Sequence, residues 1–334
     1  MRGIHFPKNT SLICARLALV FCLSIPLAAR AVLLFGSGDP TANTTPPTGD
    51  LADSGWEFEG RWGYFTGTAI APQFFITARH VGGEVGLFFS YQGVDYATTA
   101  FYDDPRSDLR LWRIDGRLPA YAPLYDGVDE VGKKFVVIGR GTQRGAEIWS
   151  DPSTPKVVRA QPRRGITPAG AIVLCGKDRD GLPPRKRPAI LLPPPAGSTL
   201  KGWENGPADG VQRWGENQFG GVLNFRGSLG EILTATFDAD AGPNEATLSV
   251  GDSGGAAFIQ VDGVWKLAGI NYGVSGPYRR NPSAPVIYGA IFNEGGLYKG
   301  TRLVPDRAQP SPGSLYITRV SARVDWIRSI INPF

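Results

Sequence analysis

The chain is poor in the residues that form disulfides and most metal centres. Its 334 residues include only three cysteines, two histidines and one methionine. Two of the cysteines, Cys14 and Cys22, and one histidine, His5, lie within the first 31 residues. The rest of the chain has one thiol, Cys175, and one imidazole, His80. A domain built from that part has no second thiol for an intrachain disulfide, and a zinc site made of several histidines is excluded.

The N-terminal segment has the pattern of an export signal. Basic residues precede an apolar run at 17–29, which leads into Ala29, Arg30 and Ala31. Alanine therefore stands at the two positions that a signal peptidase inspects. The run is shorter than the roughly 20 residues that a helix needs to cross a bilayer. We predict a signal peptide over residues 1–31, cleaved after Ala31, and a secreted or periplasmic product; a short membrane anchor is the alternative.

The formal net charge is small once this signal is set aside. The whole chain carries 35 basic and 30 acidic residues, a net charge of +5. Four of the basic residues and none of the acidic ones lie in residues 1–31, so cleavage leaves a net charge of +1. A nearly neutral chain gives no reason to expect a nucleic-acid partner. No later apolar run approaches about 18 residues, so we expect no membrane contact after cleavage, and we expect a monomer.

The remaining sequence has the pattern of an all-β protein. Residues 32–55 are rich in proline, threonine and glycine and predict an extended N-terminal arm. From Trp56 onward, short runs such as YFTGTAIAP and KFVVIGRG are rich in aromatic and β-branched residues and are separated by glycine. Such runs are typical of many short antiparallel strands in a sandwich or barrel. Apolar residues at helical spacing over 320–331 predict a C-terminal helix.

Two segments interrupt this pattern. Residues 145–215 are rich in proline and contain the run GLPPRKRPAILLPPPAG. This run cannot form a central strand, because proline has no N–H to donate to a neighbouring strand. We interpret them as a long surface insertion, with the basic cluster at 185–187 as a solvated face. In FDADAGPNE, Asp238, Asp240 and Glu245 could offer oxygens to calcium, but a full loop signature is missing. A solvated turn is favoured there, and we expect no metal and no cofactor.

A serine lies among glycines in LSVGDSGGAAF, residues 248–258. A serine hydroxyl needs a base within reach and a third group that orients the base, and a glycine-rich turn can offer backbone N–H groups to an oxyanion. The one available base is His80 in FFITARHVGG, and Asp108 in SDLRLWRI follows it, ahead of the nearby candidates Asp103 and Asp104. No histidine follows Ser253, which excludes an α/β-hydrolase with an ordinary triad.

These sequence motifs together resemble those of the trypsin/chymotrypsin-like serine endopeptidases. TARH, DLRL, VIGRGT, GDSGG, VWKLAGINYG and YITRVSARVDWI resemble family motifs, in the family's order, over most of residues 62–330. The resemblance implies two antiparallel six-stranded β-barrels, here 56–132 and 133–334, with a C-terminal helix. It also implies polypeptide substrates, His80 as general base, Asp108 as its orienter and Ser253 as nucleophile. Gly251 and Ser253 would form the oxyanion hole.

The resemblance also suggests a specificity pocket and an activation device. Thr247 would lie at the bottom of the specificity pocket. Because threonine is not an acid, specificity for lysine or arginine is disfavoured. The walls of the pocket would come from Asn271, Tyr272 and Gly273, with Leu315 making it shallow and suited to small or medium apolar side chains. Asp252 could pair with a new amine at Val32. The chain departs from the family in Arg79, where a small residue is usual, and in lacking the flanking cysteines.

Two other functions are compatible with the sequence. A binding or adhesion module without catalytic activity could share the fold, because a fold does not imply an activity. An esterase acting on small acyl esters could use the same serine, histidine and aspartate.

Overall fold

The computed structural model describes residues 32–151, 172–174, 194, 196–225 and 227–332. The predicted signal peptide, Cys175 and the basic cluster at 185–187 lie outside these ranges. Within them the chain forms strands, 3-10 turns at Gly49–Leu51, Trp56–Phe58, Arg79–Val81 and Ser321–Arg323, and the helix α1 (Val324–Ile331). No helix in the described ranges is long and apolar enough to cross a membrane.

The strands in chain order are β1 (Leu33–Leu34), β2 (Glu59–Trp62), β3 (Phe65–Ala71), β4 (Phe74–Ala78), β5 (Phe88–Tyr91), β6 (Val94–Asp103), β7 (Leu109–Ile114), β8 (Lys134–Gly139), β9 (Thr142–Trp149), β10 (Ile172–Leu174), β11 (Leu200–Ala208), β12 (Arg213–Gln218), β13 (Gly221–Phe225), β14 (Gly230–Thr236), β15 (Ala246–Thr247), β16 (Ala256–Val261), β17 (Val264–Ser275), β18 (Tyr278–Arg279), β19 (Gly289–Ile291), β20 (Tyr298–Lys299), β21 (Arg302–Leu303) and β22 (Ser314–Arg319).

The first six long strands close into a barrel. Its strand order is β2-β3-β4-β7-β6-β5, and every pairing is antiparallel. Aromatic side chains fill the interior: the rings of Phe75 and Phe89 stack with centroids 4.0 Å apart, and Trp62 and Trp112 pack 4.6 Å from each other. Stacked rings of this size bury a large apolar area in few residues, which suits a barrel made of short strands.

A second sheet also curves round on itself. Its order is β12-β8-β16-β17-β22-β14-β13, with β10 paired to β17 outside this path. The two end strands, β12 and β13, are consecutive in the chain and separated only by Phe219 and Gly220, so the ends of the sheet meet. Counted as one bent strand, they complete six: β8, β12 with β13, β14, β16, β17 and β22. The predicted all-β fold of two six-stranded barrels is thereby confirmed.

The start of the N-terminal arm belongs to the second barrel. Val32, Leu33 and Leu34 are buried, and β1 pairs with β15 through Leu33 opposite Thr247. The Val32 and Leu34 side chains join the apolar core of the second barrel. The arm therefore begins as an inserted strand and does not hang free in solvent.

The predicted insertion at 145–215 is narrower than its proline content suggested. Its two ends are strands: β9 runs to Trp149, and β11 and β12 occupy most of residues 200–215. β9, β11 and β19 form a separate three-stranded sheet, and β18, β20 and β21 form another. A second extension at 276–313 was not predicted, because short runs with scattered prolines and glycines look like ordinary turns.

The C-terminal helix crosses back to the first barrel. Val320, Val324 and Ile327 are buried in the same apolar cluster as Leu109 and Trp112. This helix was predicted over residues 320–331 and forms as a 3-10 turn followed by α1. Because it follows the last strand of the second barrel, it holds the two barrels together at one side.

Candidate active site

Two neighbouring strands of the first barrel bring His80 and Asp108 together. His80 lies in the 3-10 turn directly after β4, and Asp108 immediately precedes β7. β4 and β7 are paired, with Ala78 opposite Leu109, so the end of one strand lies beside the start of the other. The Arg79 amide donates to the Asp108 carbonyl oxygen at 2.6 Å, which ties the two turns directly.

Ser253 completes a continuous chain of hydrogen bonds. The Asp108 Oδ2 atom lies 2.5 Å from His80 Nδ1, and His80 Nε2 lies 2.7 Å from Ser253 Oγ. The backbone amide of His80 donates to the other Asp108 oxygen at 3.1 Å, so both oxygens of the carboxylate are engaged. The side chains of His80 and Asp108 are 12% and 5% exposed. A nucleophile, a base and an acid that orients the base are therefore within hydrogen-bond reach of one another.

The two rival acids lie elsewhere. Asp103 forms an ion pair with Arg110, at 2.5 Å from its Nε. Asp104 is fully buried and accepts hydrogen bonds from Ser107 and Arg323. Of the three candidates, only Asp108 contacts the imidazole.

Glycine is required where the serine loop meets the first barrel. Gly254 has φ = 82°, and a Cβ there would lie 2.2 Å from Thr77 Oγ1 and 2.4 Å from the Thr66 carbonyl oxygen. Gly251 has φ = 100°, and a Cβ there would lie 2.9 Å from the Cα of Gly141 in the second barrel. A side chain at either place would clash, so Gly254 permits the close contact with the first barrel and Gly251 permits the close contact within the second.

The loop leaves two amides unused in the described part of the molecule. The Gly254 amide donates to the Asn271 carbonyl oxygen at 3.2 Å, and the Gly255 amide donates to that of Asp252 at 3.2 Å. The amides of Gly251 and Ser253 have no acceptor among the described residues. These two are the donors that the sequence predicts for an oxyanion.

Asp252, next to the serine, is a buried carboxylate surrounded by hydrogen-bond donors. It accepts from the Gly141 amide at 2.7 Å, from the Ser249 amide at 2.7 Å and hydroxyl at 2.9 Å, and from the Val32 nitrogen at 3.3 Å. Burial raises the pKa of Asp252 to about 6, against the effect of these hydrogen bonds. The structure thus brings Asp252 and Val32 into contact across 220 residues of sequence.

The residues predicted to form the specificity pocket have different surroundings. Thr247 is buried in β15 opposite Leu33. Leu315 is fully buried in the core of the second barrel. The edge of the Tyr272 ring meets His80, with centroids 5.5 Å apart and planes at 89°, and burial raises the pKa of Tyr272 to about 12. Gly273 pairs with Tyr316 on one side.

The Asn271 side chain supports the serine loop from inside. It is fully buried and donates to the carbonyl oxygens of Ile138 at 2.8 Å and Asp252 at 3.1 Å. Its amide group therefore points into protein, and only the backbone of Asn271 is left to face a substrate. The signal for this role was an amide in an otherwise apolar strand, where a buried polar group needs partners.

The outer edge of β17 beside this site carries β10. Leu174 lies opposite Gly273 and Ile172 opposite Ser275, in antiparallel pairing. The segment therefore runs from the far end of β17 towards Tyr272 and the catalytic groups. Ser253 has no exposed surface. An added extended strand thus fits this edge, and the serine is enclosed in the present arrangement.

The acidic turn considered for calcium forms a different arrangement. Glu245 is buried and accepts hydrogen bonds from Asn217 Nδ2 and the Asp238 amide, both at 3.0 Å, while Asp240 is exposed. Burial raises the pKa of Glu245 to about 8, so the carboxyl is largely neutral near pH 7. In the described ranges no three acidic, histidine or cysteine side chains are grouped to hold a metal. The turn is not simply solvated, as had been favoured, because Glu245 anchors it to β12.

Comparisons with known proteins leave the activity to be inferred from this geometry. No family model matches the chain, and no curated protein matches it. Among solved structures, a chain described as "Crystal structure of Rv3671c protease, inactive form" is similar at 12% identity and a TM-score of 0.36, with 80% of this chain and 83% of that chain covered. A likeness this distant does not transfer a function.

Proposed function

We propose that the chain is an exported serine endopeptidase that cleaves peptide bonds through an acyl-enzyme. The observation that carries this proposal is the unbroken series of hydrogen bonds from Asp108 through His80 to Ser253, at 2.5 and 2.7 Å. The resemblance of the surrounding motifs to trypsin-like enzymes points the same way.

In the proposed reaction, Ser253 Oγ attacks the carbonyl carbon of the substrate while His80 Nε2 takes the hydroxyl proton. Asp108 holds the proton on Nδ1 and stabilises the imidazolium that forms. The amides of Gly251 and Ser253 would donate to the oxyanion, and loss of one such donor typically costs about 2.7–4 kcal/mol in the transition state. His80 then gives its proton to the leaving amine, and water hydrolyses the acyl-enzyme by the same steps in reverse.

A polypeptide substrate is supported by the edge of β17. An extended peptide can add to a sheet edge through main-chain hydrogen bonds. Here the chain's own β10 pairs with Gly273 and Ser275, next to the Tyr272 ring that contacts His80. A small ester would need no such edge. Because Thr247 and Leu315 offer no acid, cleavage after lysine or arginine is not expected.

Activation by signal removal is part of the proposal. Cleavage after Ala31 would convert the Val32 nitrogen into an ammonium group at its present 3.3 Å from Asp252. A buried carboxylate gains most from a nearby cation, because burial otherwise disfavours its charge. Asp252 adjoins both Ser253 and Gly251, so this pair would set the shape of the oxyanion loop.

The decisive test is labelling with a fluorophosphonate, a probe that reacts with activated serines. The protein starting at Val32 should be labelled, and its S253A variant should not be. Circular dichroism should show that both proteins are folded. Turnover of a peptide library and of small esters then separates the enzymes: faster turnover of peptides supports the endopeptidase, and ester turnover alone supports the esterase. Folded protein without labelling would favour the silent binding module, and a library profile dominated by lysine or arginine would contradict the predicted specificity.

A further inference from the structure

The turn that carries Asp108 is held by a second aspartate that takes no part in the proposed reaction. Asp104 lies between β6 and β7, has no exposed surface, and its amide donates to the Leu109 carbonyl oxygen at 3.0 Å. Its carboxylate accepts from the Ser107 hydroxyl at 2.5 Å and from the Arg106 amide at 3.1 Å. The Asp104 side chain therefore closes the turn through Arg106 and Ser107, and Ser107 is the residue next to Asp108.

The cation that pairs with Asp104 comes from the other end of the chain. Arg323 lies at the end of the 3-10 turn that leads into α1, 219 residues away in sequence. Its Nε and Nη2 atoms lie 2.5 and 2.6 Å from the two oxygens of Asp104. A planar guanidinium that meets a carboxylate with two parallel hydrogen bonds fixes its direction as well as its charge. Arg323 therefore fixes both the place and the orientation of the Asp104 side chain.

Hydrogen bonds from this turn continue to the imidazole. Arg79, the residue before His80, donates from Nη1 to the Asp104 carbonyl oxygen at 3.3 Å and from its amide to the Asp108 carbonyl oxygen at 2.6 Å. Asp108 in turn contacts His80 through both carboxylate oxygens. Burial alone would favour a neutral Asp104, but the hydrogen bonds from Arg323, Ser107 and Arg106 lower its pKa. Of these bonds, the one from Arg323 lowers the pKa of Asp104 most.

We propose that Arg323 is a positioning residue for the catalytic groups: through Asp104 it fixes the turn at 104–108 so that Asp108 meets His80 Nδ1. This rests on the proposed peptidase function only for its effect on turnover. Without the guanidinium, the Asp104 carboxylate is buried with no cation bonded to it, and the turn relaxes. Asp108 then loses its alignment with the imidazole, while the substrate-binding edge of β17 is unchanged.

The test compares R323A and R323K with R328A in the protein that starts at Val32. Arg328 is a matched control, since it lies in α1 and pairs with Asp126 at 2.8 Å, but both side chains are 51% exposed and touch no catalytic group. A displacement of about 1 Å can cost about 100-fold in rate. We expect kcat on a peptide to fall about 10- to 100-fold in R323A with KM within about twofold, less in R323K, and not in R328A.

A proton NMR measurement separates this proposal from the proposed function. His80 is the sole histidine from residue 32 onward, so its Nδ1 proton, bonded to Asp108, gives one assignable low-field resonance. This resonance should shift or broaden in both Arg323 variants and stay unchanged in R328A. If it moves while no variant, nor the wild type, cleaves peptides, the peptidase function fails and the positioning role stands. An unchanged resonance and unchanged kcat in R323K, which retains the positive charge, would overturn the positioning role, whatever R323A does.

Discussion

A protein that keeps Ala31 ahead of Val32 should fold but be poorly active, because the buried Asp252 then faces an amide and not an ammonium. With the amide, the pKa of Asp252 is raised from 3.8 to about 6. Two units at about 1.4 kcal/mol each make the ionised carboxylate roughly 3 kcal/mol less favourable in the folded protein than in the unfolded chain at neutral pH. At pH 7, about one unit above that pKa, roughly nine in ten folded molecules keep the charge, and no cation offsets its burial.

The pH dependence of stability follows from the same shift. Since the folded state of the extended chain binds the proton more tightly than the unfolded state, its free energy of unfolding should rise as the pH falls from about 7 through 6 to 4. The chain that starts at Val32 pairs its ammonium with the carboxylate at 3.3 Å. Its stability should not rise over that interval, because protonation of Asp252 would remove the ion pair.

The assay uses both chains and D252N in the extended chain. Urea unfolding at pH 5 and pH 7.5 gives the stability difference, and fluorophosphonate labelling at pH 7.5 gives the fraction of reactive serine. D252N should remove the part of the pH dependence that Asp252 contributes, since an amide does not titrate, and leave the part that Glu245 contributes. Equal labelling of the two chains, together with equal pH dependence, would refute the ion-pair reasoning.

Three further predictions test single contacts. G254A should destabilise the fold by about 1–3 kcal/mol more than G263A in thermal or urea unfolding, because both glycines have positive φ but only Gly254 would place its Cβ against Thr77 and Thr66; equal losses would exclude the clash. E245Q should flatten the loss of stability between about pH 5 and 8, since the raised pKa of Glu245, about 8, makes the folded state bind its proton more tightly than the unfolded chain; a slope equal to wild type would contradict this. I172P/L174P should raise kcat/KM on peptides several-fold and leave small esters unchanged, because proline cannot donate to the pairing with β17; no gain on peptides would mean that β10 does not compete for that edge.

How far the sequence predicts the site can be judged from the three catalytic candidates. Short sequence motifs identify the three catalytic candidates, His80, Asp108 and Ser253, in their order. They also identify the glycines around the serine. Their meeting needs only that β4 and β7 be neighbours and that Gly254 touch the first barrel. Both follow from the fold that the motifs indicate, so short motifs are sufficient to predict which three side chains lie together.

The surrounding supports could not be predicted in the same way. Apolar periodicity tells which face of an element is buried, but it does not tell which polar group will lie opposite. Asn271, expected to face substrate, turns inward to Ile138 and Asp252. Arg323 meets Asp104 across 219 residues, and no local pattern marks either of them as a pair. Such contacts depend on how two barrels and a helix settle against one another.

The contact at Val32 and the pairing of β10 both bear on how a substrate reaches the enclosed serine. Ser253 has no exposed surface, and β10 lies along the strand edge that an extended substrate would need. In the proposed mechanism, the Val32 contact would adjust the loop on the inner side of the serine, while β10 would act on the outer side. The two effects are therefore separable: a free Val32 amine should change labelling by a small probe, whereas displacement of β10 should change turnover of long peptides. A protein altered in both should show the two gains multiplied, because the residues involved have no partner in common.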